Sequence, residues 1–289
     1  MATVARPLPA AVPSRGRGRL VRDLRAVRIV WRRELIRFSH DRMRIVTSLV
    51  QPVLYLFVLG TGLSSLTGVQ AQGSTSLRTM MFPGVLALSV LFTAMFSAAS
   101  IVWDREFGFM REMLVAPVSR GSIVVGKCLG GASVATFQGA ILIALAGAAG
   151  VPYSPLLILE LVGVLLVLAF AMTAFGVLAA ARIRTIQSFM GLTQLFLMPM
   201  FFLSGALYPL AGLPGWLHVL TRLNPLTYAV DPLRQAVFAH IDDSPLKDRF
   251  SGGVTWFDWR IPALLEVGIV IVIGIALLGA AMVQFRRTD

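Results

Sequence analysis

Residues 103–127, WDREFGFMREMLVAPVSRGSIVVGK, hold the side chains best suited to chemistry or recognition. Asp104, Arg105, Glu106, Arg111 and Glu112 alternate with Phe107, Phe109, Met110, Met113 and Leu114. On a helix, Phe107, Met110 and Leu114 share one face, Glu106, Phe109 and Met113 form the adjacent stripe, and Pro117 stops or bends the run. Such a helix is either a plug for a groove on another protein or a solvated segment with a satisfied charge cluster; the residues alone leave both open. The stretch ends on Gly121-Ser-Ile-Val-Val-Gly126-Lys127-Cys128, a GxxxxGK string with Cys where a phosphate loop carries the Ser or Thr hydroxyl that binds magnesium. A phosphate loop also lies between a strand and a helix, whereas this string precedes an apolar helical run, so chance is the better reading. Lys127 is expected to mark the inner end of a membrane helix by snorkelling.

Other reaction chemistry is not encoded. There is no GxSxG, HExxH or CxxC element, the single cysteine, Cys128, forms no internal disulfide, and His40, His218 and His240 are too far apart for a ligand pair. The chain is therefore expected to be non-catalytic and to hold no metal.

The elements that must position these residues follow from composition. Of 289 residues, 56% are hydrophobic and 14% charged; adding the 26 glycines and removing the four tyrosines brings the apolar share to about 64%, against roughly 45–50% in soluble domains. Mean hydropathy is +0.78. This much apolar surface exceeds what a soluble domain of this size buries, which points to an all-α protein crossing the membrane several times. Six apolar stretches are long enough to cross about 30 Å of hydrocarbon: roughly 44–63, 80–102, 122–148, 156–181, 188–210 and 261–284, within a transmembrane domain at 41–289.

Residues 1–19 read as a disordered basic arm; no apolar run follows before Ile45, so a cleaved signal is not expected. Residues 20–40 form an amphipathic helix, with Leu20, Leu24, Val27, Trp31, Leu35 and Phe38 on one stripe and arginines mostly off it. It either lies in the membrane interface or packs on a partner. Residues 211–260 are too apolar for a free loop and too broken for a span; Pro214, Pro225 and Pro232 each sit where a short helix could start, giving two re-entrant helices in the outer leaflet.

A net charge of +12 invites a nucleic-acid reading, but its distribution sets orientation instead. Of 26 Lys and Arg, 12 precede residue 45, four lie at 103–127, two at 182–187 and two in the tail, against six elsewhere. Both termini are expected in the cytoplasm of a bacterial plasma membrane, with no nucleic-acid partner.

Ionisable or amide groups within the stretches are the remaining candidates. Glu160 and Glu266 near the outer ends either attract a cationic substrate at an exit or are interfacial carboxylates beside headgroups or an outer arginine. Gln51, Gln138 and Gln194 either line a polar path or tie helices together. Gly126 and Gly130 suit close helix packing. Phe201, Phe202 and Trp216 form an interface belt or an apolar gate.

The run Asp104-Arg105-Glu106-x-Gly108-x-x-Arg111-x-x-Leu114-x-x-Pro117-x-Ser119-Arg120, continuing to Gly126-Lys127, resembles the inner-loop signature of ABC-2 type permeases, the membrane subunits of a class of ATP-binding-cassette exporters. Residues 201–234, with Leu223-Asn224-Pro225-Leu226-Thr227-Tyr228 at their centre, resemble that family's fifth span and re-entrant helices. The likeness runs from about residue 25 onward and is nearest the daunorubicin-resistance-like drug-efflux branch; polysaccharide, sodium and lipid exporters share these blocks. Phe107 and Phe109 occupy positions often polar in the family, implying greasier docking contacts.

The resemblance implies that 103–117 is a coupling helix seated on a separate ATPase, with Asp104, Arg105, Glu106, Phe107, Gly108, Met110, Arg111, Leu114 and Pro117 as its coupling residues. It makes 20–38 a connecting helix and pairs two permease subunits, identical or homologous, with two ATPases that hold the ATP and magnesium. Gln51, Gln194, Phe201, Phe202 and Asn224 are candidates for the path of a hydrophobic or amphipathic substrate. The rival readings are a secondary transporter or channel, against which no midplane carboxylate and no internal repeat are seen, and a scaffold that assembles other membrane proteins.

Overall fold

The structure, a computed structural model, describes residues 17–62, 76–108, 119–210, 212–241, 247, 252–256 and 259–287. Helix α1 spans Arg17–His40 and α2 spans Arg42–Leu54. Pro52 lies inside α2, and the chain continues through one π-helical turn at Tyr55–Leu59, an adjustment expected just past a proline that removes a backbone donor. Helix α3, Leu77–Ser97, starts at a capping box in which Ser76 and Thr79 satisfy each other's backbone N–H. Ala98 separates it from α4, Ala99–Glu106, although the two run on as one apolar helix.

Helix α5 spans Arg120–Ile143, with Ser119 capping Ser122. A 3-10 turn at Ala146–Ala149 and Gly150 at φ 78° lead to α6, Pro155–Ala180. Helix α7, Ile186–Phe202, is followed by α8, Gly215–Leu223, and α9, Thr227–Phe238. A two-residue hairpin, Thr255–Trp256 against Trp259–Arg260, is an addition to the expected all-helical chain. Helix α10, Ala263–Arg287, closes the fold.

Among the described residues, four helices are long and apolar enough to cross a membrane: Ile45–Gly62, Leu77–Glu106, Pro155–Ala180 and Ala263–Arg286. The expected third and fifth stretches differ for physical reasons. Helix α5 has the length, 24 residues, but Lys127 and Gln138 lower its apolarity. Helix α7 has 17 residues because the chain turns at Leu203 and Gly205 instead of running on to 210. The proline expectation also needs correction. Pro214 caps α8 and Pro225 precedes α9, but Pro232 lies inside α9, whose start is set upstream by Asn224.

Helix α3 is the centre. Of its most apolar window 83% is buried, against 17% for Ile45–Gly62 and 17% for Ala263–Arg286, which sit at the rim. Around α3 pack α5, α6 and α9, and α10 lies against α6 and α9. A second apolar cluster, including Ile101, Val124, Val177, Phe189 and Phe285, gathers the ends of α4, α5, α6, α7 and α10 beneath it.

Helix α1 packs on α5 through Ala26, Val30, Glu34 and Phe38, every fourth residue. The approach depends on Gly126 and Gly130. A Cβ there would lie 2.8 Å from Val30 Cβ and 2.7 Å from Glu34 Cβ, inside contact distance. The stripe read from the sequence packs only at its C-terminal end: Phe38 is buried and Trp31 Nε1 donates to Ser133 Oγ of α5 at 3.0 Å, while Leu20 and Leu24 remain exposed. The GxxxxGK string is helix from Gly121 onward, and its second glycine is this packing point rather than part of a phosphate loop.

Candidate functional site

Helix α4 ends on Asp104, Arg105 and Glu106, and each holds a different element. Asp104 is 6% exposed. Its Oδ2 accepts from Lys127 Nζ at 2.6 Å and from Arg33 Nη2 at 2.7 Å. Lys127 Nζ also donates to Glu34 Oε1 at 2.7 Å and to Ser100 Oγ at 3.0 Å. Two cations and two carboxylates thus bind α1, α4 and α5 at one point, with only Arg33 reaching solvent. Lys127 is 4% exposed, so the snorkelling expectation gives way: its ammonium is paired inside the protein, not carried to the surface.

Arg105 Nη1 donates to the carbonyls of Ala180, at 2.9 Å, and Ile183, at 2.7 Å, at the C-terminal end of α6, where a cation also opposes the helix dipole. Its guanidinium sits 5.8 Å from the Phe285 ring centroid of α10. Glu106 Oε2 accepts from the Ile186 N–H at 2.9 Å, at the first turn of α7, where a carboxylate is favoured for the converse reason.

Beyond this triad Phe107 stands exposed, its ring 5.9 Å from that of Trp103, and Gly108 adopts φ 84°, a left-handed turn that suits glycine. Met110, Arg111, Leu114 and Pro117 lie outside the described residues. The chain is picked up at Ser119, whose N–H donates to Asp23 Oδ1 of α1 at 3.1 Å. The segment is therefore tied to α1 at both ends, at Arg33 through Asp104 and at Asp23 through Ser119.

A cavity of about 580 Å³ opens between α1, α2, the α3–α4 helix and α7. Its volume is that of a small-molecule site. Gln51 is exposed into it. The other path candidates are dispersed. Gln194 is exposed on α7. Phe201 is buried against Tyr55, ring centroids 6.1 Å apart, while Phe202 is exposed. Asn224 holds a joint: its Nδ2 donates to Met200 O at 2.6 Å and its Oδ1 accepts from Leu226 N–H at 3.1 Å, fixing the end of α7 to the start of α9. Tyr228 adds a bond to Arg222 O, and Trp256 Nε1 donates to the Tyr228 hydroxyl at 3.0 Å. Glu160 is exposed, whereas Glu266 is fully buried, facing Asp231 with Arg260 in electrostatic reach.

Sequence reasoning missed Glu34 and the pairing of Lys127. A signal existed: Glu34 is the only charge in the row Ala26, Val30, Glu34, Phe38, an odd place for a carboxylate without a buried partner.

These features define a helical protein with several apolar, membrane-length helices and a charged joint where one of them ends. Residues 25–238 match the ABC-2 type transporter family, and the chain belongs to it. It is similar to the inner membrane transport permease YadH of Escherichia coli strain K12, 30% identical over 234 residues that cover 78% of this chain and 87% of the relative. It is also similar to nodulation protein J of Rhizobium leguminosarum bv. trifolii, 28% identical over 215 residues covering 73% and 80%. Nodulation protein J of Sinorhizobium fredii is 28% identical over 228 residues covering 78% and 82%.

Proposed function

We propose that this chain is the permease half of an ATP-driven exporter in a bacterial plasma membrane, carrying hydrophobic or amphipathic substrates outward and non-catalytic itself. Two permease copies, or two homologous chains, form the path, and two separate ATPases supply ATP hydrolysis. The four membrane-length helices, with α5 as third span and α7 as fifth, make six crossings with both termini in the cytoplasm. Helix α1 lies along the inner surface; its exposed Leu20, Leu24, Ile29 and Ile36 among arginines suit a headgroup boundary. Helices α8 and α9 dip into the outer leaflet.

The observation that carries this reading is the family match over 25–238, which includes both the 103–120 signature and the block around Asn224. The triad supplies a route for the work. Closure of the ATPases pushes on 107–117, and Asp104, Arg105 and Glu106 pass the displacement to α1, α5, α6 and α7 through the bonds described above. Transport results only if the substrate binds the inward-facing arrangement better than the outward-facing one.

The test is co-purification from native membranes followed by ATP-driven efflux from proteoliposomes. An ATPase should accompany the wild-type chain. Phe107→Ser combined with Arg111→Glu should cut ATP-driven transport by at least about tenfold, the loss of one docking anchor, with an unchanged gel-filtration profile. Reversing Glu106 should likewise uncouple ATP hydrolysis from transport. Full efflux by the purified chain with no nucleotide-hydrolysing companion overturns the reading.

A further inference from the structure

In the cavity between α1, α2 and the α3–α4 helix, that last helix presents two unlike stripes side by side. Ser89, Thr93, Ser97 and Ser100 follow one another at steps of four, four and three residues, so they stand on one face of the α3–α4 helix, and all four line the cavity. At the inner end this row is already engaged. Ser100 Oγ accepts from Lys127 Nζ at 3.0 Å, and Ser97 sits against Gly131, where an added Cβ would lie 2.8 Å from its hydroxyl oxygen. Ser89, near the middle of the Leu77–Glu106 helix, is different. It is 3% exposed, and its hydroxyl has no hydrogen-bond partner among the described residues. Gln51 of α2 opens its amide into the same space.

Aromatic rings form the stripe beside it on the same helix. Phe92 and Phe96 lie 6.1 Å apart, and Phe38 and Trp103 also line the cavity. The charged lining residues, Glu34, Arg37 and Asp41, all belong to α1 or the turn after it. A molecule inserted past α1 therefore meets hydroxyls, one amide and rings, but no charge.

This combination selects among chemistries. A hydrocarbon body would leave Ser89 buried without a partner, which is unfavourable, and a charged group would be desolvated without a counter-charge. A neutral ring carrying hydroxyl or carbonyl groups satisfies both stripes. We infer that the cavity binds a neutral, ring-bearing amphiphile whose hydrogen-bonding groups engage Ser89, Thr93 and Gln51 while its ring packs on Phe92 and Phe96. The inference deepens the exporter reading and rests on it only for the statement that the bound molecule is cargo.

The test is equilibrium dialysis of the full chain in lipid nanodiscs, with empty discs subtracted, against three probes: naphthyl glucoside, ethylnaphthalene and naphthalene sulfonate. The glucoside should bind saturably, and the other two at least about tenfold more weakly. Ser89→Ala combined with Thr93→Val should weaken the glucoside by about fivefold or more, the loss of neutral hydrogen bonds, and leave ethylnaphthalene unchanged. Gln51→Leu, on an exposed face where folding is not at stake, should act in the same direction. Ethylnaphthalene or the sulfonate binding as tightly as the glucoside overturns the ligand class. So does the absence of saturable glucoside binding, or variants that bind it like wild type. The dialysis uses neither ATP nor an ATPase, so its failure leaves the exporter reading to the co-purification experiment, and failure there leaves the binding result intact.

Discussion

Lys127→Met lowers the melting temperature of the detergent-solubilised chain by on the order of 10 °C. Lys127 Nζ is the shared donor to Glu34 and Asp104, and its side chain is 2% exposed. Removing it leaves two carboxylates, each 6% exposed, beside Arg33, whose side chain is 42% exposed. Breaking a buried pair in this way costs about 3–5 kcal/mol, because the remaining charge has lost its water and its partner together. The triple variant Lys127→Met, Glu34→Gln, Asp104→Asn recovers most of that loss, since it removes the stranded charges and keeps their shapes. Fluorescence-detected gel filtration after heating measures both. A single variant that melts with the wild type, or a triple variant less stable than the single, would show that the four groups are not one electrostatic unit.

That cluster also marks where sequence reading stops. Long apolar runs bounded by caps are local, so 156–181 and 261–284 anticipate α6 at Pro155–Ala180 and α10 at Ala263–Arg287 closely. The capping residues Ser76, Ser119 and Thr185 are local too. Partnerships across the sequence are not. Lys127 meets Asp104 from 23 residues away and Glu34 from 93, and nothing in either neighbourhood names the other. The signature at Asp104-Arg105-Glu106 was legible as a charged run, but that its three members would hold α1 with α5, then α6, then α7 depended on where those helices end. Helix α1 makes the same point. Its apolar periodicity selects Leu20, Leu24, Val27, Trp31, Leu35 and Phe38; Phe38 packs and Trp31 reaches Ser133, yet the rest of the packed face is Ala26, Val30 and Glu34, because the glycines that admit a close neighbour lie on α5. The cavity's hydroxyl row had a four-residue period in plain view, but a period alone does not say whether a row faces lipid, protein or a cavity.

Gly84→Ala abolishes the folded, monodisperse protein, whereas Gly163→Ala does not. Gly84 lies in the central helix α3 against the turn that follows α7. A Cβ there would stand 2.1 Å from Ala206 O, 2.6 Å from its carbonyl carbon and 2.8 Å from its Cα. These are backbone atoms, so no rotamer change relieves the clash, and the turn has little room to retreat. Gly205 holds it at φ 70°, Arg234 donates to the Gly205 carbonyl, and Ser204 Oγ donates to Phe201 O at 2.6 Å while accepting from Ala206 N–H. Overpacking usually costs about 1–3 kcal/mol, and contact with fixed backbone belongs at the top of that range or beyond it. Movement of α3 is the remaining escape, and it would disturb α5, α6 and α9 together. Gly163, with nothing within 4 Å of an added Cβ, is the matched control in α6; alanine there is neutral or stabilising by about 0.5–1 kcal/mol, since glycine is the poorer helix former. Yield and melting temperature of the two variants, purified side by side, decide the matter. Equal behaviour would mean that the turn after α7 is not held against α3 as tightly as its bonds require, and that the end of α7 moves freely of α3.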